Sequence, residues 1–443
     1  MTTSEASPQQ AYVWVWLPGA TDPVVAGIIQ ANAGELVFAY GRSYLERPNA
    51  IALQPDSVHG PGLPLIKGPQ RPPVGLDAHG VIRDAAPDSW GQQVILRRQV
   101  GLNAVDTADL PLLTYLLESG SNRIGALDIQ TAPDLYTPRS TQASLVELVE
   151  AGDRLARGVP FSGELDDALT FGSSVGGARP KALVTADGKE MIAKFSVATD
   201  VFPWMQAEAL GMELARRCGV HTAPASLITA AGRDVLLVDR FDRPGAGTRR
   251  QVISALSLLG LHELAARHAT YTDLADLIRL RFVTPTTTLH ELFRRIVVNV
   301  ILGNTDDHAR NHAAFWDGTT LELTPAYDIC PQPRTTGETY LAMAYGPNGE
   351  RRARLSACKD AAAIYGLTGS KAASVIDECV TVIRDSYDDA CAEVGVSDAA
   401  RDLLLGRAIV TPSIFYADSL RGEVNGQMAG ASHPQRCGRR SLS

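Results

Sequence analysis

Residues 303–328 hold the combination of side chains that says most about chemistry. Asp306 is followed five positions later by Asn311, and a second aspartate, Asp328, ends a short apolar run downstream. In phosphoryl transfer, one aspartate accepts the proton of the attacking hydroxyl, an asparagine five residues on binds Mg²⁺, and a later aspartate binds the Mg²⁺ between the nucleotide phosphates. A hard cation between phosphates requires oxygen ligands, so this spacing predicts a phosphotransferase with Asp306 as the catalytic base and Asn311 and Asp328 as metal ligands.

The same stretch has a simpler interpretation as a polar loop, because Asp, Asn, Thr and Gly are also turn formers. Its surroundings favour the chemical interpretation. Apolar side chains recur at helical spacing just before it and predict a helix anchored in a core; they are Leu289, Leu292, Phe293, Ile296, Val297, Val300 and Ile301. After the loop, Ala313–Trp316 and Leu321–Leu323 predict a hairpin around Asp317-Gly318. Helix, loop, hairpin and metal aspartate follow one another in this order in the C-lobe of a protein kinase.

Lys194 lies in the middle of an apolar strand that we predict over Glu190–Phe195. A buried ammonium needs an anionic partner. In kinases such a lysine contacts the α- and β-phosphates and pairs with a glutamate of the next helix. Glu208 lies on the next predicted helix, which extends over Gln206–Cys218. The alternative is an edge-strand lysine that points to solvent.

A glycine-containing stretch, Ser173 to Ala178, precedes these strands. Glycine lets backbone N–H groups approach phosphates without a Cβ in the way. Gly176-Gly177 alone is a weak signal, and an ordinary turn is the alternative. The stretch matches neither GxxxxGKS nor GxGxxG, which excludes the P-loop and Rossmann fingerprints.

Two further groups of polar residues have two interpretations each. His308 and His312 are spaced as i, i+4 and could form a two-histidine metal site, although Ala309 occupies the place of the general base in HExxH. Histidines in a polar loop are otherwise structural or solvated. The charged cluster Arg240–Arg243 is either a solvated turn or an element that orders a loop near the substrate.

Composition narrows the class of protein. The chain has 443 residues, of which 45% are hydrophobic and 20% charged, as is normal for a globular protein of two to three domains. We find no transmembrane helix, no secretory signal and no CxxC pair among the six cysteines, and we therefore expect a cytoplasmic protein. The net charge of −8 argues against direct binding of nucleic acid.

We predict an α+β protein with a protein-kinase-like two-lobe fold, an extra small N-terminal β/α subdomain and a mostly helical C-lobe. The strands of the subdomain are expected over Tyr12–Leu17, Val24–Gly27 and Leu36–Tyr40, and Asp88 is expected to cap a helix. The predicted divisions are the N-terminal subdomain (1–150), the N-lobe with the glycine-rich loop (151–245), the C-lobe with the catalytic loop (246–425) and a disordered tail (426–443).

Five motifs in this order resemble the HipA family of serine/threonine kinase toxins from bacterial toxin–antitoxin modules: SSVGGARPKA, IAKF, VDRFDR, GNTDDHARNH and LTPAYDI. The N-terminal motifs VWVWLPG, FAYGRSYL, IRDAAPDSWG and SNRIGALDI are similar to the N-terminal subdomain of that family. The resemblance extends over about residues 12 to 415. Its TD-x-H-x-x-N element with the following Tyr-Asp is specific, whereas the glycine loop is not.

The resemblance implies a serine/threonine protein kinase that depends on ATP and Mg²⁺. It assigns the same roles to Asp306, Asn311 and Asp328 as the spacing does. Ser174 matches the loop serine that the family autophosphorylates in trans, which ejects the loop and inactivates the kinase. The expected nucleotide-binding residues are Ser174, Val175, Gly176, Gly177, Ala178, Lys181, Lys194, Glu208 and His308.

The resemblance also implies partners. Family members phosphorylate a serine of an aminoacyl-tRNA synthetase, commonly the glutamyl enzyme bound to tRNA, and so inhibit translation and growth. A HipB-type helix-turn-helix antitoxin neutralises them, so DNA is contacted only indirectly through the antitoxin, and no membrane is involved. Arg179-Pro180 departs from the Gln-Glu pair more usual in the family loop. A kinase-like enzyme for small molecules and a non-catalytic nucleotide-binding regulator are the two alternatives.

Overall fold

The computed structural model describes residues 8–100, 110–139, 145–156, 179–186, 188–333 and 337–416. Three antiparallel sheets with helices between them make up a mixed α and β fold. None of the helices in these ranges is both long enough and apolar enough to cross a bilayer.

The first sheet belongs to the N-terminal part of the chain. Its strands pair in the order β3-β2-β1-β4 and comprise β1 (Gln10–Val15), β2 (Val24–Asn32), β3 (Glu35–Tyr40) and β4 (Leu127–Gln130). The helices of this part are α1 (Arg42–Leu45), α2 (Gly80–Asp84), α3 (Ser89–Val100) and α4 (Leu112–Glu118). Ala11, Val13, Trp14 and Val15 of β1 are buried, so both faces of its second half are covered.

The second sheet, with strand order β5-β6-β8-β7, lies in the middle of the chain. Its strands are β5 (Lys181–Ala186), β6 (Lys189–Phe195), β7 (Ala225–Ala230) and β8 (Arg233–Asp239). Two helices accompany it, α5 (Leu145–Ala156) and α6 (Trp204–Arg217). Leu148 and Val149 of α5 pack with the apolar side chains of this sheet. The predicted division near residue 150 stays a prediction, and α5 crosses it.

The third sheet, with strand order β11-β10-β9, lies in the C-terminal part. It consists of β9 (Gln251–Ser254), β10 (Ala313–Trp316) and β11 (Leu321–Leu323). The helices there are α7 (Ala255–Leu258), α8 (Tyr271–Arg281), α9 (Pro285–Leu302), α10 (Leu355–Ala361), α11 (Gly369–Val394) and α12 (Asp398–Leu404). The predicted hairpin is confirmed, since β10 and β11 pair antiparallel around Asp317-Gly318.

The N-terminal and C-terminal parts share one large apolar cluster, which contains Val13 and Ile129 of the first sheet together with Phe293 and Ile296 of α9. A smaller cluster lies on the second sheet and includes Trp90 of α3. Burial of such surfaces stabilises a fold by about 25 cal/mol per Å² of apolar area. The N-terminal part is therefore fixed to the rest of the molecule through its core.

The charged cluster Arg240–Arg243 is buried rather than solvated. The Asp242 carboxylate accepts hydrogen bonds from both arginines and from the backbone N–H of Gly125, at 2.7 Å each for the shortest contacts. Burial alone would raise the pKa of Asp242, but the two guanidinium groups lower it to about 2. The cluster orders the chain around Gly125, and the interpretation as a solvated turn is wrong.

Candidate active site

The helix α9 positions the loop that carries Asp306. Pro285 begins the helix, and Gly303, at φ +71°, ends it in the left-handed region that glycine adopts without strain. The Asn304 backbone N–H then donates to the Asn299 carbonyl oxygen. The Asn304 side-chain Nδ2 also donates to Asn299 Oδ1 at 3.1 Å. The loop therefore begins at a fixed point on a buried helix.

Two neighbouring aspartates of this loop have opposite surroundings. Asp307 is buried, and its Oδ2 accepts hydrogen bonds from the Tyr271 hydroxyl and from Asn299 Nδ2 at 2.7 Å, while His312 Nε2 lies 2.9 Å away. Asp306 is exposed. The buried carboxylate anchors the loop, and this leaves the preceding carboxylate free to meet a substrate.

This contrast gives a test of stability. Asp307→Ala is expected to lower the free energy of unfolding by about 2–4 kcal/mol, because it leaves buried polar groups without a partner. Urea denaturation measures the change. Asp306→Ala is the matched control, and as an exposed substitution it should stay within about 0.5 kcal/mol of the unsubstituted protein. Equal losses for the two variants would contradict the anchoring role of Asp307.

Asn311 ends a short 3₁₀ turn, Ala309–Asn311, in the same loop. Its Nδ2 lies 3.5 Å from the Asp306 carbonyl oxygen, which turns the amide toward the residue predicted as the base. The Tyr327 hydroxyl donates to the Arg310 carbonyl oxygen at 2.7 Å. This bond joins the loop of Asp306 and Asn311 to the segment that carries Asp328.

Asp328 has a positive φ of 62°. That conformation costs an L-residue of order 1–3 kcal/mol and persists where the surroundings fix it. The preceding segment is fixed from both sides, because Arg295 Nη2 donates to the Thr324 carbonyl at 2.8 Å and the Ala326 N–H donates to the His221 carbonyl at 2.7 Å. The Asp328 side chain is 39% exposed, so part of its carboxylate remains accessible.

The Lys194 ammonium lies between two carboxylates. Its Nζ is 2.5 Å from Glu208 Oε1 on α6 and 2.5 Å from Asp328 Oδ1. The strand β6 is an interior strand, flanked by β5 and β8, and the lysine side chain is 14% exposed. The alternative of an edge-strand lysine in solvent is therefore wrong.

Electrostatic interactions stabilise the charged forms of Lys194 and Asp328. The protein atoms around Asp328 alone would raise the pKa of its carboxyl, but the Lys194 ammonium outweighs them and lowers that pKa to about 2. Burial raises the pKa of Glu208, and Lys194 offsets part of this effect. Burial likewise opposes the charged form of Lys194, yet the two carboxylates raise its pKa above the usual value. An anionic oxygen of Asp328 is thus present at neutral pH.

Gly211 lets the helix α6 approach the segment around Asp328. A Cβ at this position would lie 2.2 Å from the Ile329 carbonyl oxygen. Real Cβ atoms do not approach that closely, so only glycine permits this packing. The close contact brings Glu208, one turn earlier on the same helix, within reach of Lys194.

Lys181 lies directly opposite Lys194 in the ladder between β5 and β6. Its Nζ is 3.2 Å from Asp88 Oδ2, and both side chains are nearly completely buried. Asp88 is also the predicted helix cap, because its Oδ1 accepts the Gly91 N–H at 2.9 Å. The sequence predicted the cap, but not the ion pair.

The two histidines of the loop differ in their surroundings. His312 Nε2 contacts Asp307, so this nitrogen is not free for a metal. His308 lies near Asp328, and its charged form lowers the pKa of that carboxyl. Its buried Nδ1 has no hydrogen-bond partner among the described residues. In the described ranges, no group of three His, Cys, Asp or Glu side chains is placed so that it could hold a metal ion.

The predicted nucleotide-binding residues Ser174, Val175, Gly176, Gly177 and Ala178 lie outside the described residues. The remaining predicted residues converge on one region, where Lys181, Lys194, Glu208, His308 and Asp328 interact electrostatically.

Three residues that hold this region together were not predicted from the sequence, namely Tyr271, Asn299 and Asp88 in its contact with Lys181. A polar residue on the otherwise apolar face of a predicted helix was the available signal for Asn299. No local signal marks the other two, because their partners are 36 and 93 residues away in the chain.

Known proteins with a similar sequence or fold agree with this geometry. Residues 173–387 match the model of the HipA-like C-terminal domain. The chain is 25% identical over 350 residues to Y4mE of Sinorhizobium fredii, which is named as a kinase; the match covers 71% of this chain and 76% of that protein. It is 25% identical over 222 residues to the serine/threonine-protein kinase toxin HipA of Shewanella oneidensis, covering 42% of this chain and 51% of that protein.

A solved structure shows the same fold. A chain in the complex of Shewanella oneidensis HipA, HipB and operator DNA superposes with a TM-score of 0.63 at 18% identity, and the match covers 89% of this chain and 96% of that chain. The family model spans Lys194, Glu208 and Asp328, whose side chains are in contact, and it also spans Asp306. Residues 173–387 therefore belong to the family of HipA-like C-terminal domains.

Proposed function

We propose that this protein is a serine/threonine protein kinase that transfers the γ-phosphate of ATP in the presence of Mg²⁺. The Lys194 ammonium between Glu208 and Asp328, at 2.5 Å from each, is the observation that carries the proposal. In protein kinases this ion pair, together with the metal aspartate, must be in place for activity. The HipA-like C-terminal domain and the similarity to named kinases support the same activity.

The donor set suits the proposed cofactor. Asp328 offers a carboxylate with a pKa of about 2, and Asn311 offers an amide oxygen, both of them hard oxygen ligands. Mg²⁺ in kinases completes its coordination with phosphate oxygens and water, so a cage of three acidic side chains is not required. Bound Mg²⁺ would neutralise charge that develops on the phosphates.

The remaining residues have roles that follow from their positions. Asp306 orients the attacking hydroxyl and accepts its proton. Lys194 and Lys181 offer positive charge to the phosphates, and His308 offers its Nδ1 beside them. Asp307 does not meet the substrate, but fixes the loop that presents Asp306. These groups supply positioning and charge, which account for most of the catalysis of phosphoryl transfer.

The similarity to HipA supports a proposal for the substrate and for the partner. We propose a seryl side chain of an aminoacyl-tRNA synthetase, most simply the tRNA-bound glutamyl enzyme, as the phosphate acceptor. We also propose a HipB-type helix-turn-helix antitoxin as the partner; the solved complex with the similar fold contains HipA, HipB and operator DNA. The kinase would then act as the toxin of the pair and reach DNA only through the antitoxin.

The acceptor can be identified directly. The purified protein is incubated with Mg·ATP and each aminoacyl-tRNA synthetase, with and without the cognate tRNA, and phosphopeptides are mapped by mass spectrometry. We expect phosphoserine on one synthetase. Asp306→Asn is the control and should leave no phosphate. Phosphate on a small molecule and on none of the synthetases would instead support the alternative of a small-molecule kinase.

Ser174 provides a prediction about regulation. We expect purified protein to carry phosphate on Ser174, and Asp306→Asn protein expressed alone to lack it. A phosphate adds about −1.5 to −2 charges at neutral pH, which would repel the phosphates of ATP. Mass spectrometry and nucleotide titration of the two forms measure these effects. A phosphorylated form that binds Mg·ATP as tightly as the unmodified form would contradict the switch.

A further inference from the structure

Asp88 and Lys181 form a buried ion pair between two parts of the chain that are far apart in sequence. The side chains are 2% and 3% exposed, and the closest atoms are 3.2 Å apart. Burial raises the pKa of Asp88 to about 6 and lowers the pKa of Lys181, so burial opposes the charged form of both groups. A buried ion pair is weak evidence for stability, because apolar residues in its place are often as stable or more stable.

Lys181 belongs electrostatically to the phosphate site. It is the direct strand partner of Lys194. Its ammonium helps to lower the pKa of Asp328 and offsets part of the rise that burial causes in the pKa of Glu208, the two carboxylates that hold Lys194. The position of Lys181 therefore affects the same charges that would meet a nucleotide.

The residues before Asp88 connect this lysine to Ser254 at the end of β9 and to Ser257 in α7. The helix α2 ends at Asp84, and α3 begins at Ser89. The Asp84 carboxylate accepts hydrogen bonds from the Ser254 N–H, the Ser254 hydroxyl and the Ser257 hydroxyl, each at 2.8 Å. The segment 84–88 thus joins the end of β9 to β5, with one aspartate fixed at each end.

The segment also faces the loop that carries Asp306. Burial raises the pKa values of both Asp84 and Asp88, and the Arg310 guanidinium of that loop offsets a small part of this rise. Its Nη1 lies 3.0 Å from Glu263 Oε1. The segment 84–88 consequently lies beside both the phosphate lysines and the loop of the base.

We propose that Asp88 is a positioning residue for nucleotide binding, which acts by holding Lys181 beside Lys194 at the phosphate site. The N-terminal part of the chain is thereby a component of the nucleotide site through the segment 84–88. This inference rests on the proposed kinase function, and on the proposed contact of Lys181 with ATP phosphates.

A double-mutant cycle tests the inference. The dissociation constant of Mg·ATP and the KM for ATP are measured for the unsubstituted protein, Asp88→Asn, Lys181→Met and the double variant. We expect each single substitution to raise both constants by about tenfold, since one charge-assisted contact is lost. The double variant should equal Lys181→Met, because Asp88 acts through this lysine.

The control and the outcomes separate the inference from a structural role. Asp77→Asn removes a charge from the same part of the chain, where Asp77 pairs with Arg83 at the surface, and should leave both constants unchanged. Additive effects of Asp88→Asn and Lys181→Met would overturn the positioning role. A full tenfold effect of Lys181→Met with no effect of Asp88→Asn would overturn it as well. If the unsubstituted protein did not bind ATP at all, the proposed function itself would be refuted.

A second variant covers the case in which Asp88→Asn fails to fold. Asp88→Glu keeps the charge and moves the carboxylate by one methylene. We expect a protein that still unfolds in a cooperative thermal transition and has a KM for ATP raised about threefold, because the ammonium follows its partner. An unchanged KM for ATP in this folded variant would overturn the proposal.

Discussion

Asp306→Asn is expected to reduce kcat for phosphoryl transfer by about 10²–10⁴-fold, the usual contribution of a positioned general base. The substitution keeps the shape of the side chain but removes the carboxylate that accepts the proton. Asp306 is exposed, so the fold and the affinity for Mg·ATP should remain as they are. Steady-state kinetics with ATP and a protein acceptor measure the change.

The adjacent aspartate distinguishes chemistry from structure. Asp307→Asn alters a carboxylate that accepts from Tyr271 and Asn299 and should act mainly through stability. Transfer by Asp306→Asn at the unsubstituted rate would show that the base is a different residue. If Asp306→Asn lowered the stability of the fold as well as the rate of transfer, Asp306 would also have a structural role.

Asp328→Ala is expected to weaken Mg²⁺-dependent binding of ATP by about 10–100-fold, the order of change seen when a metal site loses a supporting group. Without Mg²⁺, the affinity for ATP should stay the same or rise, because Lys194 is released from one of its two carboxylates. Nucleotide titrations with and without Mg²⁺ should therefore give similar dissociation constants for the variant. For the unsubstituted protein, the two constants should differ.

Two controls accompany this prediction. Asp276→Ala removes an equally charged side chain from the exposed face of α8, where it pairs with Arg279, and should not change the Mg²⁺ dependence. Alanine at a φ of 62° is strained, so the folding of Asp328→Ala is checked by denaturation. An Mg²⁺ dependence in this folded variant equal to that of the unsubstituted protein would exclude Asp328 as a ligand.

The residues on which the proposed chemistry rests could be identified from the sequence because their signals are local. The spacing of Asp306, Asn311 and Asp328 and the apolar face of α9 can be identified without a structure, and the predicted hairpin and helix are present. The pairing of Lys194 with Glu208 could also be proposed, since a buried ammonium requires an anion.

The features that were not predicted from the sequence depend on contacts between residues that are far apart in the chain. The four-residue strands β4 and β9 were not predicted, because each is defined by pairing with a strand more than 50 residues away. Asp88 was predicted only as a cap, and nothing near it in sequence indicates that its second oxygen contacts Lys181. The anchoring of Asp307 likewise depends on Tyr271, which lies on another helix.

The proposed transfer of phosphate from ATP to a protein hydroxyl can be observed directly. The protein is incubated with Mg·ATP labelled in the γ-phosphate, and labelled phosphoserine and phosphothreonine are measured after acid hydrolysis. We expect label on a hydroxyl amino acid, and no label with Asp306→Asn or after removal of Mg²⁺. Label that persists in Asp306→Asn, or ATP that binds without any transfer to the protein or to an added acceptor, would contradict it.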